Sequence, residues 1–98
     1  MTIYQEKSGS ALTVTLDGRL DTSTAPALEK TLKESLDRVS ELTLDLTGLE
    51  YISSAGLRVL LAAQKIMNRQ GKMKLIHVNE IIMEIFEVTG FSDILTIE

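Results

Sequence analysis

The sequence predicts an α/β domain on a mixed β-sheet, with helices mainly on one face and the element order β-β-α-β-α-β-α-β. Three observations predict it. Leu12, Val14 and Leu16 alternate with Thr13, Thr15 and Asp17, and Leu42, Leu44 and Leu46 alternate with Thr43 and Asp45, which is the pattern of strands with one buried face. Apolar residues recur at helical spacing between and after these strands. After an opening pair of strands, strands and helices alternate, which favours parallel pairing through crossover helices. Strands covered on both faces read as continuous apolar runs, whereas these two keep a polar face. The helices are therefore expected mainly on one side.

The elements follow in order. Thr2–Glu6 reads as a short strand, ended by the turn-like Lys7-Ser8-Gly9-Ser10, and pairs as a hairpin with the strand at 12–16. Asp21-Thr22-Ser23-Thr24 offers caps for a first helix. Pro26 suits its first turn, where a missing N–H costs little. Leu28, Leu32, Leu36 and Val39 form its stripe, and it is expected to end near Val39. The strand at 42–46 is expected to break at Thr47-Gly48. Leu49–Ile52 then leads to a helix starting at Ser53 or Ser54, with Gly56, Val59, Leu60, Ala63, Ile66 and Met67 on one face and Gly71 as its stop. Met73–Val78 reads as a strand. Asn79 caps a short helix whose Ile82, Ile85 and Phe86 face inward, Gly90 ends it, and Ile94–Ile97 reads as a final strand.

Composition bounds the function. With 98 residues, the chain makes one domain, residues 1–98. It is 44% hydrophobic but only 4% aromatic, so its core is aliphatic. A net charge of −4 argues against binding to phosphate backbones, which takes clustered Lys and Arg. Lys65, Arg69, Lys72 and Lys74 cluster loosely, and cations near a helix C-terminus complement its dipole. Cysteine is absent, which excludes a thiol nucleophile and Cys-ligated metals and fits the cytoplasm. The N-terminal residues lack the pattern of a signal peptide, and no apolar run is long enough to span a bilayer.

An enzyme is not expected. The single histidine, His77, reads as a hydrogen-bonded strand residue. Nothing spells a Ser-His-Asp arrangement, a metal-ligand spacing or a Walker-type phosphate loop. No catalytic residue, metal or cofactor is expected.

The informative segment is Leu44-Asp45-Leu46-Thr47-Gly48 through Ser53-Ser54-Ala55-Gly56-Leu57. A strand leads through a loop to two serines at a helix start. Free N–H groups and the positive end of the helix dipole favour a phosphate there. A serine at this place is also a common helix cap. Leu57 and Leu61, i,i+4 neighbours displaced from the core-facing stripe, either widen the buried face or form an apolar contact patch beside Ser54.

This segment resembles the signature of the STAS domain family, in which Asp-Leu-Ser-Gly precedes an Asp-Ser-(Ser/Thr/Ala)-Gly-Leu helix start. Gly18-Arg19-Leu20-Asp21-Thr22-Ser23-Thr24-Ala25 resembles the family's second motif, and the resemblance covers essentially the whole chain. It implies the STAS fold and an anti-sigma factor antagonist. The phosphorylated serine falls on Ser54. The family's preceding Asp falls on Ser53, a departure, and Asp21 matches the Asp of the second motif, expected near Ser54. The implied partner surface is Asp21, Thr22, Ser53, Ser54, Gly56, Leu57 and Leu61.

The implied partners are an anti-sigma factor that is also a serine kinase, of the GHKL type, and a serine phosphatase. Unphosphorylated protein would hold the kinase and free the sigma factor, and phosphate on Ser54 would release it. Neither direct nucleic-acid binding nor membrane insertion is implied, and the free protein is expected as a monomer or weak dimer. The alternative is a non-phosphorylated STAS scaffold or accessory subunit of a transport or signalling complex, in which Ser54 is a cap and contact residue.

Overall fold

The two strands that alternate most cleanly in sequence lie side by side at the centre of the sheet. The computed structural model describes residues 1–98. It places four strands in the order β1-β2-β3-β4. β1 (Thr2–Ser8) and β2 (Ala11–Leu20) form an antiparallel hairpin, with Ile3 opposite Leu16 and Ser8 opposite Ala11. Gly9 closes the turn at φ +61, a left-handed conformation that glycine adopts without a Cβ clash. β3 (Glu41–Ile52) runs parallel to β2, and β4 (Lys72–Ile76) parallel to β3. The crossovers are α1 (Ala25–Ser35) and α2 (Ser54–Gln70); α3 (Glu80–Thr89) follows β4.

Alternation decides which face of the sheet is dry. Leu12, Val14, Leu16, Leu42, Leu44, Leu46, Met73 and Leu75 are buried. Thr13, Thr15, Thr43 and Asp45, on the opposite face, are half-buried, and Lys74 is exposed. The helices therefore cover one face. The core joins 24 buried residues, and Phe86 is its only aromatic.

Several boundaries differ from the sequence expectation. Thr47-Gly48 does not break β3. The strand runs on to Ile52, and its register with β2 shifts twice, between Thr15 and Asp17 and between Gly18 and Arg19. A bulged strand absorbs extra residues without leaving the sheet. Gly48 permits it, because a Cβ there would lie 2.8 Å from Asp17 Oδ1. α1 ends at Ser35, and Leu36 and Val39 are buried beyond it. Gly71 does stop α2, but for a packing reason: a Cβ would collide with the Ser40 carbonyl oxygen. Asn79 and Gly90 bound α3 as expected, Asn79 Oδ1 accepting the Ile82 N–H at 2.9 Å and Gly90 turning left-handed at φ +81.

The expected final strand at Ile94–Ile97 shrinks to a single bridge. Phe91–Asp93 forms one turn of 3-10 helix directly after Gly90. Only Ile97 reaches extended pairing, beside Leu75, with Leu75 N–H donating to Thr96 O and Glu98 N–H to Leu75 O, both at 2.9 Å.

Candidate functional site

The site is built where β2 and β3 end together. Leu20 stands opposite Ile52, and the Ser53 N–H donates to the Leu20 carbonyl at 2.9 Å. That bond ties the loop at 21–24 to the first turn of α2, so the two sequence motifs meet in space.

The loop is held by its own hydrogen bonds. Asp21 Oδ1 accepts from the Ser23 hydroxyl at 2.7 Å, the Ser23 N–H at 3.0 Å and the Thr24 N–H at 3.2 Å. Thr24 Oγ1 accepts the Asp21 N–H and donates to the Arg19 carbonyl, both at 2.8 Å. The Ser23 hydroxyl, and then the two backbone N–H groups, hold the Asp21 carboxyl below the usual carboxylate range against the opposing pull of desolvation. Asp21 therefore keeps its negative charge beside the start of α2. Thr22, next to it, is exposed.

Ser53 and Ser54 divide the helix start between them. Ser53 has extended backbone, φ −98 and ψ 176, and its Oγ accepts the Gly56 N–H at 3.4 Å. Ser53 is thus the cap, and Ser54 is the first helical residue. The Ser54 hydroxyl takes no part in the cap and is exposed. The Ser54 and Ala55 N–H groups have no intrahelical acceptor, as at any helix start. Serine caps about as well as aspartate, so Ser53 preserves the helix start that the family's Asp would give.

Two expected contact residues are buried. Gly56 is buried, and a Cβ there would lie 2.7 Å from Leu20 Cγ and 2.9 Å from Ile52 Cγ1. Leu57 is 6% exposed and belongs to the core, so it widens the buried face of α2. Leu61, one turn on, is half-buried and remains accessible.

Sequence reasoning assigned no role to Arg19 and Tyr51. They stand opposite each other across β2 and β3, and the Arg19 guanidinium lies 4.4 Å from the Tyr51 ring centroid. Arg19 Nε is also 3.8 Å from Asp21 Oδ2. The signal was present in an aromatic residue placed just before a helix in a chain almost without aromatics. Reading it required β3 to continue through Gly48.

His77 lies apart from this cluster. It sits just past β4, with φ +58, rather than inside the strand. Its Nδ1 is 3.0 Å from Asp45 Oδ1 and 2.9 Å from Thr47 Oγ1. It is a loop residue pinned to β3, a correction to the strand assignment. No three His, Cys, Asp or Glu side chains converge as a metal-holding group. No helix is long and apolar enough to cross a membrane.

Comparison with known proteins bears on this geometry. The family model described as "Mlab, STAS domain" matches residues 3–96. BtrV of Bordetella bronchiseptica, described as a candidate anti-sigma factor antagonist, is 36% identical over 96 residues, covering 96% of this chain and 83% of that protein. The anti-sigma-B factor antagonist of Bacillus subtilis is 31% identical over 85 residues, covering 86% and 78%. Among solved structures, an anti-sigma factor antagonist from Mycobacterium paratuberculosis superposes with a TM-score of 0.88 at 24% identity, over 98% of this chain and 83% of that one. The Bacillus cell fate determinant SpoIIAA in its phosphorylated form gives 0.77 at 14% identity, over 99% and 91%.

Proposed function

The chain belongs to the STAS domain family, among its anti-sigma factor antagonists, and from that premise we propose that it is a partner switch thrown by phosphorylation of Ser54. Anti-sigma factor antagonists interact with anti-sigma factors. The partner proposed here is an anti-sigma factor serine kinase of the GHKL type, held while Ser54 carries a free hydroxyl. A serine phosphatase resets the switch, and both act in the cytoplasm on a monomer or weak dimer. The family is generally non-enzymatic, and all catalysis in this scheme lies in the partners.

One observation carries the reading. Ser53 supplies the cap, so the exposed Ser54 hydroxyl is spare at the positive end of a 17-residue helix. A phosphate there gains the free N–H groups of the first turn. It also adds about −1.5 to −2 charges beside the fixed carboxylate of Asp21, which disfavours re-docking of the partner by repulsion and by the cost of desolvating phosphate. The docking surface is Asp21, Thr22, Ser53, Ser54 and Leu61, flanked by the Arg19–Tyr51 stack.

Phosphopeptide mapping tests this. The purified protein is incubated with ATP and lysate of its own source, with Ser54→Ala as control. A single phosphate on Ser54, absent from the control, is expected. Labelling of other substrates but not of Ser54 overturns the reading.

A second reading rests on Ser53. Where the family motif has Asp, this chain has a residue that caps the helix but brings no charge to Ser54. In that reading the domain is a non-phosphorylated scaffold or accessory subunit of a transport or signalling complex. Co-purification separates the two: a GHKL-type kinase supports the switch, and a membrane transport ATPase supports the accessory subunit.

A further inference from the structure

The last turn of α3 is built against its own interest. Val88 is the most exposed large apolar side chain in the protein, at 88%, and a β-branched residue is a poor helix former. Glu84 and Glu87 lie beside it, toward the negative end of the helix dipole, and the last turn holds no Lys or Arg to balance them. With Glu80, α3 carries three carboxylates and no cation, and none of the three forms an ion pair within the chain. At about 100° per residue, Glu80, Glu84 and Glu87 make one ridge on the outer side of α3. Ile81, Ile85 and Val88 make an apolar ridge next to it.

The outer side of α2 has the opposite composition. α2 carries Arg58, Lys65 and Arg69 and no acid, and none of these forms an ion pair within the chain. Its far half bears an open hollow of about 360 Å³, lined by Lys65, Ile66, Arg69 and Gln70. Ile66, half-buried against the core, is the apolar wall, and no carboxylate lines the hollow. Here a cationic ridge, Lys65 and Arg69, runs beside an apolar residue.

We propose that the occupant of this hollow is Val88 of a second copy of this chain. On both helices the apolar ridge follows the charged one in the same rotational sense, so the faces match ridge to ridge when the helices run antiparallel. Val88 is then set over Ile66. A rise of about 1.5 Å per residue brings Glu84 level with Arg69 and Glu87 level with Lys65, each within about 3 Å along the axis. The second copy thereby supplies the cations that the last turn of α3 lacks. Each pair is exposed and adds little alone, so the association is weak, salt-sensitive and dependent on the valine. The two patches differ, so the contact is heterologous and closes as a dimer only where both knobs seat at once. It is independent of the Ser54 switch: α3 ends at Thr89, level with Lys65 and roughly 16 Å along α2 from Ser54.

The test is sedimentation equilibrium of the unphosphorylated protein up to millimolar concentration, with ¹⁵N NMR spectra over the same range. In about 50 mM salt the average mass is expected to rise with concentration. The resonances of Lys65, Ile66, Arg69, Glu84 and Val88 are expected to move with it, and that of Ser54 to stay in place. About 500 mM salt is expected to return the protein toward monomer. Val88→Ser is expected to weaken association about tenfold. Charge reversal gives the decisive arm. Glu84→Lys with Glu87→Lys, and Lys65→Glu with Arg69→Glu, are each expected to be monomeric alone and to associate when mixed. A monomer at every concentration in low salt overturns the proposal. So does association that Val88→Ser leaves unchanged, or a pair of charge-reversed proteins that stays monomeric when mixed.

Discussion

The Ser53 side-chain oxygen accepts the Gly56 N–H, and this contact decides which of two adjacent serines is structural. At 3.4 Å the bond is long, so its contribution belongs at the low end for a cap. Ser53→Ala is expected to cost about 0.5–1 kcal/mol of stability. Ser54→Ala is expected to stay within about 0.5 kcal/mol of the parent. Urea unfolding of both variants checks the ranking, and the reverse order would reassign the cap to Ser54.

Ser54→Asp should separate binding from folding. A carboxylate in the first turn of a helix is favourable, by about 0.3–1 kcal/mol, so the variant should melt at or slightly above the parent temperature. Its affinity for the anti-sigma kinase is expected to fall about tenfold or more, because a charge is introduced at the docking surface. Ser54→Ala is expected to bind as tightly as the parent. Calorimetric titration against the kinase reads both. Equal affinity for the Asp and Ala variants removes Ser54 from the interface.

Gly56→Ala tests the packing account of the signature glycine. The added methyl meets Leu20 and Ile52 at less than 3 Å, and both side chains are themselves fully packed. Overpacking of this kind costs about 1–3 kcal/mol. The urea midpoint should drop accordingly. A neutral effect would mean that the helix start shifts away from the end of the sheet, which resonance shifts at Leu20 and Ile52 would show.

Asp45 sets an acid limit on stability. Desolvation raises its pKa, but the Thr47 hydroxyl, the His77 ring and the Thr47 N–H together outweigh it, and the net shift is downward. A carboxyl whose folded pKa lies below its unfolded one adds stability that is complete above the ordinary value of 3.8. That stability is lost as the pH falls through the folded pKa. Asp45→Asn is therefore expected to flatten the decline in urea midpoint below that value. An acid limb as steep as the parent's would place the responsible carboxyl elsewhere.

The strands at 12–16 and 42–46 were legible because one buried face imposes period-2 alternation on any sequence that forms it. Asn79 and Gly90 were legible because capping and left-handed turns draw on few residue types. The continuation of β3 was not legible. Thr47-Gly48 carries a turn signal, and only the neighbouring Asp17 and Gly18 of β2 turn it into a bulge. The Arg19–Tyr51 stack was hidden for the same reason, since it depends on register after the bulge. Ile94–Ile97 is apolar and rich in β-branched residues like a strand, but the turn at Phe91–Asp93 consumes the residues that would have extended its pairing. Leu57 and Leu61 share one helical spacing, and only tertiary packing, which spacing does not carry, leaves one buried and the other half-buried.

The length of α2 has a consequence for how signals combine. Ser54 and Gln64 lie ten residues apart on one helix, roughly 15 Å along its axis. That exceeds the distance over which exposed charges act on one another in physiological salt, roughly 8 Å. A phosphate at one end is electrostatically silent at the other. Only a shift of the whole rod against the sheet could carry news between them, and Gly56 and Gly71, wedged against Leu20 and Ser40, hold it at both ends. A phosphate on Ser54 therefore acts on what meets that end of the helix and leaves the far end as it was.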